Sequence, residues 1–223
     1  MERFDNWSLA GYGFALTIMF YLKYFVIYGL SKSLSELDGL ESVIASPPEC
    51  IAHMHRTSYL WRRFDQGLYR FLVKYFYKPL TGNDHTKALR KMLAGIVCFT
   101  IIALWHGLNL PILIWVTLNI LLSVAEIIGT QLRSILQNLS SKKYFYFIEQ
   151  FTAIIGAPYL SLAYLSNIFF LSNYESGILL WNNFYLTNFY TFLLTMTIFW
   201  SGNHVCEHIN RFINSRKNNQ IFK

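Results

Sequence analysis

Between Met92 and Ala125 the chain carries no Asp, Glu, Lys or Arg. A helix crosses a bilayer with roughly 20 apolar residues, and this stretch is longer than that. Composition points the same way. Hydrophobic residues make up 54% of the chain, aromatic residues 18% and charged residues only 14%, whereas soluble domains carry about a quarter charged residues. The fold class this dictates is an all-α integral membrane protein.

Five spanning helices follow from the apolar, nearly uncharged stretches: Leu9–Leu30, Met92–His106, Leu110–Ile128, Phe151–Leu171 and Phe184–Trp200. The first run follows "MERFDNW" and has no small-residue cleavage site, so it is expected to remain as a span and not to be cleaved as a signal peptide. Lys23 and the many aromatics of this span predict packing against protein on one side. Gly107 suits the stop of the second span, and Pro111 the start of the third. Between the first two spans, "SPPEC" breaks any helix. It is followed by "YLWRRFDQGLYRFLVKYFYKPL", Tyr59 to Leu80, whose apolar residues recur at three and four positions among Arg62, Arg63, Arg70, Lys74 and Lys78. That pattern predicts a basic amphipathic helix at the membrane interface.

The net charge of +7 needs no nucleic acid, because membrane proteins keep Lys and Arg in cytosolic loops. Eight basic residues lie between Arg62 and Lys91, and others at Arg133, Lys142, Lys143 and from Arg211 onward. The alternate loops, 107–109 and 172–183, have none. The basic loops and the C-terminus are therefore expected in the cytosol, and the N-terminus with Arg3 on the far side. The whole chain reads as one membrane domain over residues 1–223. Residues 46–91 form a cytosol-facing segment carrying Asp65, and residues 92–128 a helical hairpin carrying His106.

His106 is the only side chain titrating near neutral pH in its apolar run. An ionisable group there is costly and is usually functional or paired. The plain alternative is a neutral imidazole bonded to a neighbouring helix. Asp65 is the second candidate, and its plain alternative is a surface carboxylate paired with Arg62 or Arg63. His204 and His208 sit at i and i+4 without an evident third ligand, and His53 and His55 alternate in a loop. Metal binding is expected at neither pair. Cys50, Cys98 and Cys206 show no CxxC spacing and make no case for a disulfide framework or a zinc site.

"LWRRFDQGLYRFLVKYFYKPL" followed by "IIALWHGLNLPILIWVTLN" resembles the paired signature blocks of the membrane-bound O-acyltransferase (MBOAT) superfamily. With "FYLKYFVIYGL", "LDGL" and "SNIFFL", the likeness is to the C-terminal half of its Hedgehog-acylating branch. Many other branches carry asparagine where this chain has Asp65. The resemblance implies transfer of a palmitoyl group from palmitoyl-CoA to the N-terminal cysteine amine of a Hedgehog-type protein, at the endoplasmic reticulum membrane. It implies catalytic roles for His106, Asp65 and Asn167, an acyl-channel position for Trp61, and a haem-ligating position for Cys50. A small thiol beside a proline turn is the other reading of Cys50.

The implied chemistry is coherent. A thioester is already activated, so the enzyme must deprotonate the incoming amine and stabilise an oxyanion. An imidazole or a carboxylate can serve as the base, and an amide can donate to the oxyanion. Which of Asp65 and His106 is the base stays open. So do two rival functions. One is an inactive or shortened relative that acts as a regulatory or binding protein. The other is a transporter component, although the paired broken helices typical of transporters do not recur here.

Overall fold

In the computed structural model, residues 5–40, 44–82, 88–139 and 142–221 are described. Arg3 and residues 83–87, counted in the charge pattern above, lie outside them, as do the side chains of Lys142 and Lys143. The described residues are helical, without strands.

The first helix, α1 (Asn6–Leu37), runs beyond the expected span at both ends. Asp5 caps it by accepting from the Ser8 amide at 2.7 Å. It crosses α7 (Lys142–Leu171) closely, where the Tyr164 hydroxyl donates to the Ala10 carbonyl at 2.8 Å. Gly13 permits that approach, since a Cβ there would come 2.3 Å from the Tyr164 hydroxyl oxygen. Lys23 itself is exposed, while Phe20 and Tyr24 pack on Phe64.

The stretch expected as one interfacial helix is broken. It folds as α2 (Thr57–Arg63), α3 (Gln66–Leu72), a π-turn over Val73–Tyr77, and α4 (Lys78–Thr81). The break has a local cause. Asp65 leaves helical geometry (φ −110°, ψ 85°) and its carboxylate caps α3 by accepting from the Leu68 amide at 2.9 Å. A short side chain that bonds its own backbone competes with helix continuation. The result is a helical hairpin. It enters at Thr57 and Ser58 beside Glu126 and Tyr159, bends at Phe64–Asp65, and returns to bring Lys78 to the cavity that Lys91 lines.

Helix α5 (Ala88–His106) ends at the histidine itself. Gly107 takes φ +90°, a left-handed conformation that favours glycine. Asn109 then caps α6 (Leu110–Leu139) by accepting from the Ile112 amide at 3.1 Å. Helices α5, α6, α7 and α9 (Phe189–Ile221) form the main packed body. Its core holds Phe99, Ile102, Trp115, Leu165, Ile168 and Phe169, all buried.

Among the described residues, α1, α5 and α6 are long and apolar enough to cross a membrane, and α7 adds a shorter apolar stretch, Gly156–Leu171. The expected fifth span is displaced. The chain from Tyr174 to Trp181 forms a separate helix, α8, followed by a π-turn over Asn182–Leu186. Helix α9 starts only at Phe189 and extends through the basic residues expected as a tail. Asn188 causes the restart, accepting from the Thr191 amide at 2.8 Å, while the Thr187 hydroxyl donates back to the Asn183 carbonyl at 2.9 Å.

Candidate active site

Asp65, His106, Asn167 and Trp61 come from the hairpin bend, the end of α5, α7 and α2, and all four line one cavity of ≈ 100 Å³. Thr17, Tyr24, Phe64 and Phe170 complete much of its wall. The four lie up to about a hundred residues apart in the chain, and the bend at Asp65 is what carries its carboxylate to the level of His106.

His106 is held by aromatic edges. Its ring meets Phe170 at 5.0 Å and Trp115 at 5.9 Å, both nearly perpendicular, and these two rings stack on each other at 4.4 Å. No side-chain hydrogen bond to His106 is made among the described residues, and the residue is exposed. Its nitrogens are available to a ligand.

Asp65 is not neutralised by its neighbours. Arg63 pairs instead with Glu49 at 3.1 Å, and Arg62 lines a different cavity. The Asp65 carboxylate caps α3 through the Leu68 amide and faces the cavity beside Tyr24. Asn167 accepts from the Trp115 indole N–H at 3.4 Å through Oδ1, which leaves its amide N–H groups as donors to the cavity.

Trp61 and Ile102 also line a second cavity, of ≈ 490 Å³, whose wall carries Arg62, Lys78 and Lys91 together with Cys98 and Glu126. A third, largely apolar chamber of ≈ 460 Å³ meets the first through Thr17, Ile51, Leu60 and Asn167, and contains Phe14, Leu160, Leu194 and Ile198. The site thus lies between a basic recess and an apolar one.

Two groups were not legible as site residues. Asn119 accepts from the Trp61 indole, and Glu126 accepts from the Ser58 amide (3.0 Å), the Ser58 hydroxyl and the Tyr159 hydroxyl. A polar residue inside an apolar span is the signal that could have flagged Asn119.

Cys50 is exposed and lies outside these three cavities. A haem needs an enclosing recess as well as a thiolate, and this placement does not fit one. His204 packs edge-on to Trp200 at 4.8 Å. His55 is buried against Tyr59 and Asn210, and the side chain of His53 lies outside the described residues. Among the described residues no cluster of three His, Cys, Asp or Glu could hold a metal ion.

The family model of the MBOAT, membrane-bound O-acyltransferase family, matches residues 1–166, and the chain belongs to that family. It is 30% identical to protein-cysteine N-palmitoyltransferase HHAT of Mus musculus over 193 residues, covering 83% of this chain and 37% of that protein. It is 29% identical to protein-cysteine N-palmitoyltransferase Rasp of Drosophila melanogaster, over 78% of this chain and 35% of that protein. Membrane-bound O-acyltransferase GUP1 of Saccharomyces cerevisiae is 28% identical over 51% of this chain and 19% of that protein. The first two matches extend over more of this chain than the third does. The chain spans 37% and 35% of the length of the first two of these relatives and 19% of the third.

Proposed function

We propose that this chain carries the reaction centre of a membrane acyltransferase that moves a palmitoyl group from palmitoyl-CoA to the N-terminal cysteine amine of a Hedgehog-type protein. One observation carries the reading: Asp65, His106 and Asn167 line a single cavity that shares Trp61 with a basic recess. The branch likeness supplies the acceptor class.

In this reading Arg62, Lys78 and Lys91 attract the coenzyme A phosphates. The thioester passes Trp61 into the reaction cavity, and the acyl chain extends toward the apolar chamber. His106 or Asp65 takes the amine proton as nitrogen attacks the carbonyl carbon, and the other orients the nucleophile. The Asn167 amide donates to the developing oxyanion. The carbon–sulfur bond then breaks, and the coenzyme A thiolate leaves. The basic loops and C-terminus face the cytosol, the donor's side, and the acceptor arrives from the lumen of the endoplasmic reticulum.

The assay is direct. The chain in detergent, given palmitoyl-CoA and a peptide beginning Cys-Gly-Pro, forms the amide, and His106→Ala lowers the rate by roughly 10²–10⁴-fold, the usual worth of a positioned acid or base. Equal rates in wild type and variant would overturn the reading. The GUP1 likeness favours a second acceptor class, a hydroxyl, which the same assay detects with an alcohol in place of the peptide.

A further inference from the structure

Asn119 is a buried amide in the uncharged first half of α6. It is 2% exposed, and its oxygen and nitrogen are both engaged. Oδ1 accepts from the Trp61 indole at 3.3 Å, while Nδ2 donates to the Trp115 carbonyl at 2.9 Å and to the Ser166 hydroxyl at 3.5 Å. One side chain therefore ties α2, α6 and α7 together at the level of the site. A leucine would suit a membrane helix better, so the amide's retention calls for a reason beyond filling space.

Trp61 supplies that reason. Its indole lines both the reaction cavity and the basic cavity. Its other ring contacts are apolar: Phe99 edge-on at 5.1 Å and Trp115 tilted at 5.8 Å. Edge-to-face contact favours some ring orientations, but less sharply than a hydrogen bond to a fixed acceptor. Among the described residues, the one hydrogen bond on the indole is its N–H bond to Asn119.

We propose that Asn119 is a positioning residue that holds the Trp61 indole as the wall between the basic and reaction cavities, and so sets how much acyl thioester goes to the amine and how much to water. This rests on the acyltransferase reading above. In transfer, the amine nitrogen bonds to the acyl carbon, the carbon–sulfur bond breaks, and the amine proton reaches the thiolate through the base. In hydrolysis, water oxygen takes the place of nitrogen, giving free palmitate and the same thiol. A loosened indole opens the reaction cavity to water from the basic recess and favours the second outcome.

The test uses the chain labelled with 5-fluorotryptophan in detergent. Its six tryptophans give resolvable fluorine signals, with Trp61 assigned by Trp61→Phe and with Trp7 and Trp200 reporting an intact fold. In Asn119→Leu the Trp61 signal shifts or broadens while those of Trp7 and Trp200 stay. The ratio of free palmitate to amide rises about fivefold, as expected if the one net hydrogen bond that sets the ratio is that between Trp61 and Asn119. Trp61→Phe, which removes the N–H and leaves Asn119 in place, raises the ratio alike, and the double variant adds nothing further. An unmoved Trp61 signal overturns the proposal, as does a moved signal with an unchanged ratio, or additive effects in the double variant. If wild type forms no amide, the acyltransferase reading fails for this chain by itself, and the fluorine signal still decides whether Asn119 positions Trp61.

Discussion

Arg63 pairs with Glu49 at 3.1 Å, and the same two residues are joined again through the Glu49 amide and the Arg63 carbonyl. This double link commits Arg63 to Glu49 and not to Asp65, two positions along. The carboxylate is left with a cap to make and a cavity to face.

Those two duties can be separated. Asparagine caps helices about as well as aspartate, whereas alanine there costs about 1 kcal/mol. Asp65→Asn should therefore keep the thermal stability of wild type, and Asp65→Ala should lose it by that amount. Both should lose acyl transfer by roughly 10²–10⁴-fold. Full transfer by Asp65→Asn in the peptide assay would reduce Asp65 to a cap.

The basic cavity makes a kinetic prediction. Arg62→Ala and Lys91→Ala should raise KM for palmitoyl-CoA and leave kcat nearly unchanged, the signature of lost uniform binding. The wild-type KM should climb with salt, since screening acts over about 10 Å at 0.1 M. A palmitoyl thioester without phosphates should show neither effect.

Glu126 closes the mouth of the hairpin, accepting from Ser58 twice and from Tyr159. Glu126→Ala strands the Ser58 amide and should cost about 1–3 kcal/mol, read by thermal unfolding in detergent. Glu126→Gln keeps an acceptor and should cost less.

Gly177 on α8 has no room for a methyl group, because a Cβ would lie 2.3 Å from the edge of the buried Phe169 ring. Gly177→Ala should destabilise the chain by about 1–3 kcal/mol through overpacking. Gly129, with open space around its missing Cβ, is the control, and Gly129→Ala should not destabilise.

What the sequence made legible was decided by hydropathy and by local turn chemistry. The uncharged run from Met92, the His106–Gly107 stop and the Pro111 start all appear where the structure has them, because each is set by residues within a few positions. The Tyr59–Leu80 segment was misread as one helix. Its period is helical throughout, and nothing in that period reveals that Asp65 turns its carboxylate onto Leu68. The fifth span starts five residues later than expected for a similar reason, since Asn188 as a cap outweighs the apolar residues before it. Site membership depended on contacts between distant segments, and Asn119 and Glu126 entered only with the packing of α2 against α6.

Helix α2 is seven residues long and contains neither glycine nor proline. It behaves as a stiff rod, pinned at one end by Glu126 and carrying Asp65 just past the other. Two turns of helix therefore separate the groups that bound the basic recess from the carboxylate that faces the reaction cavity.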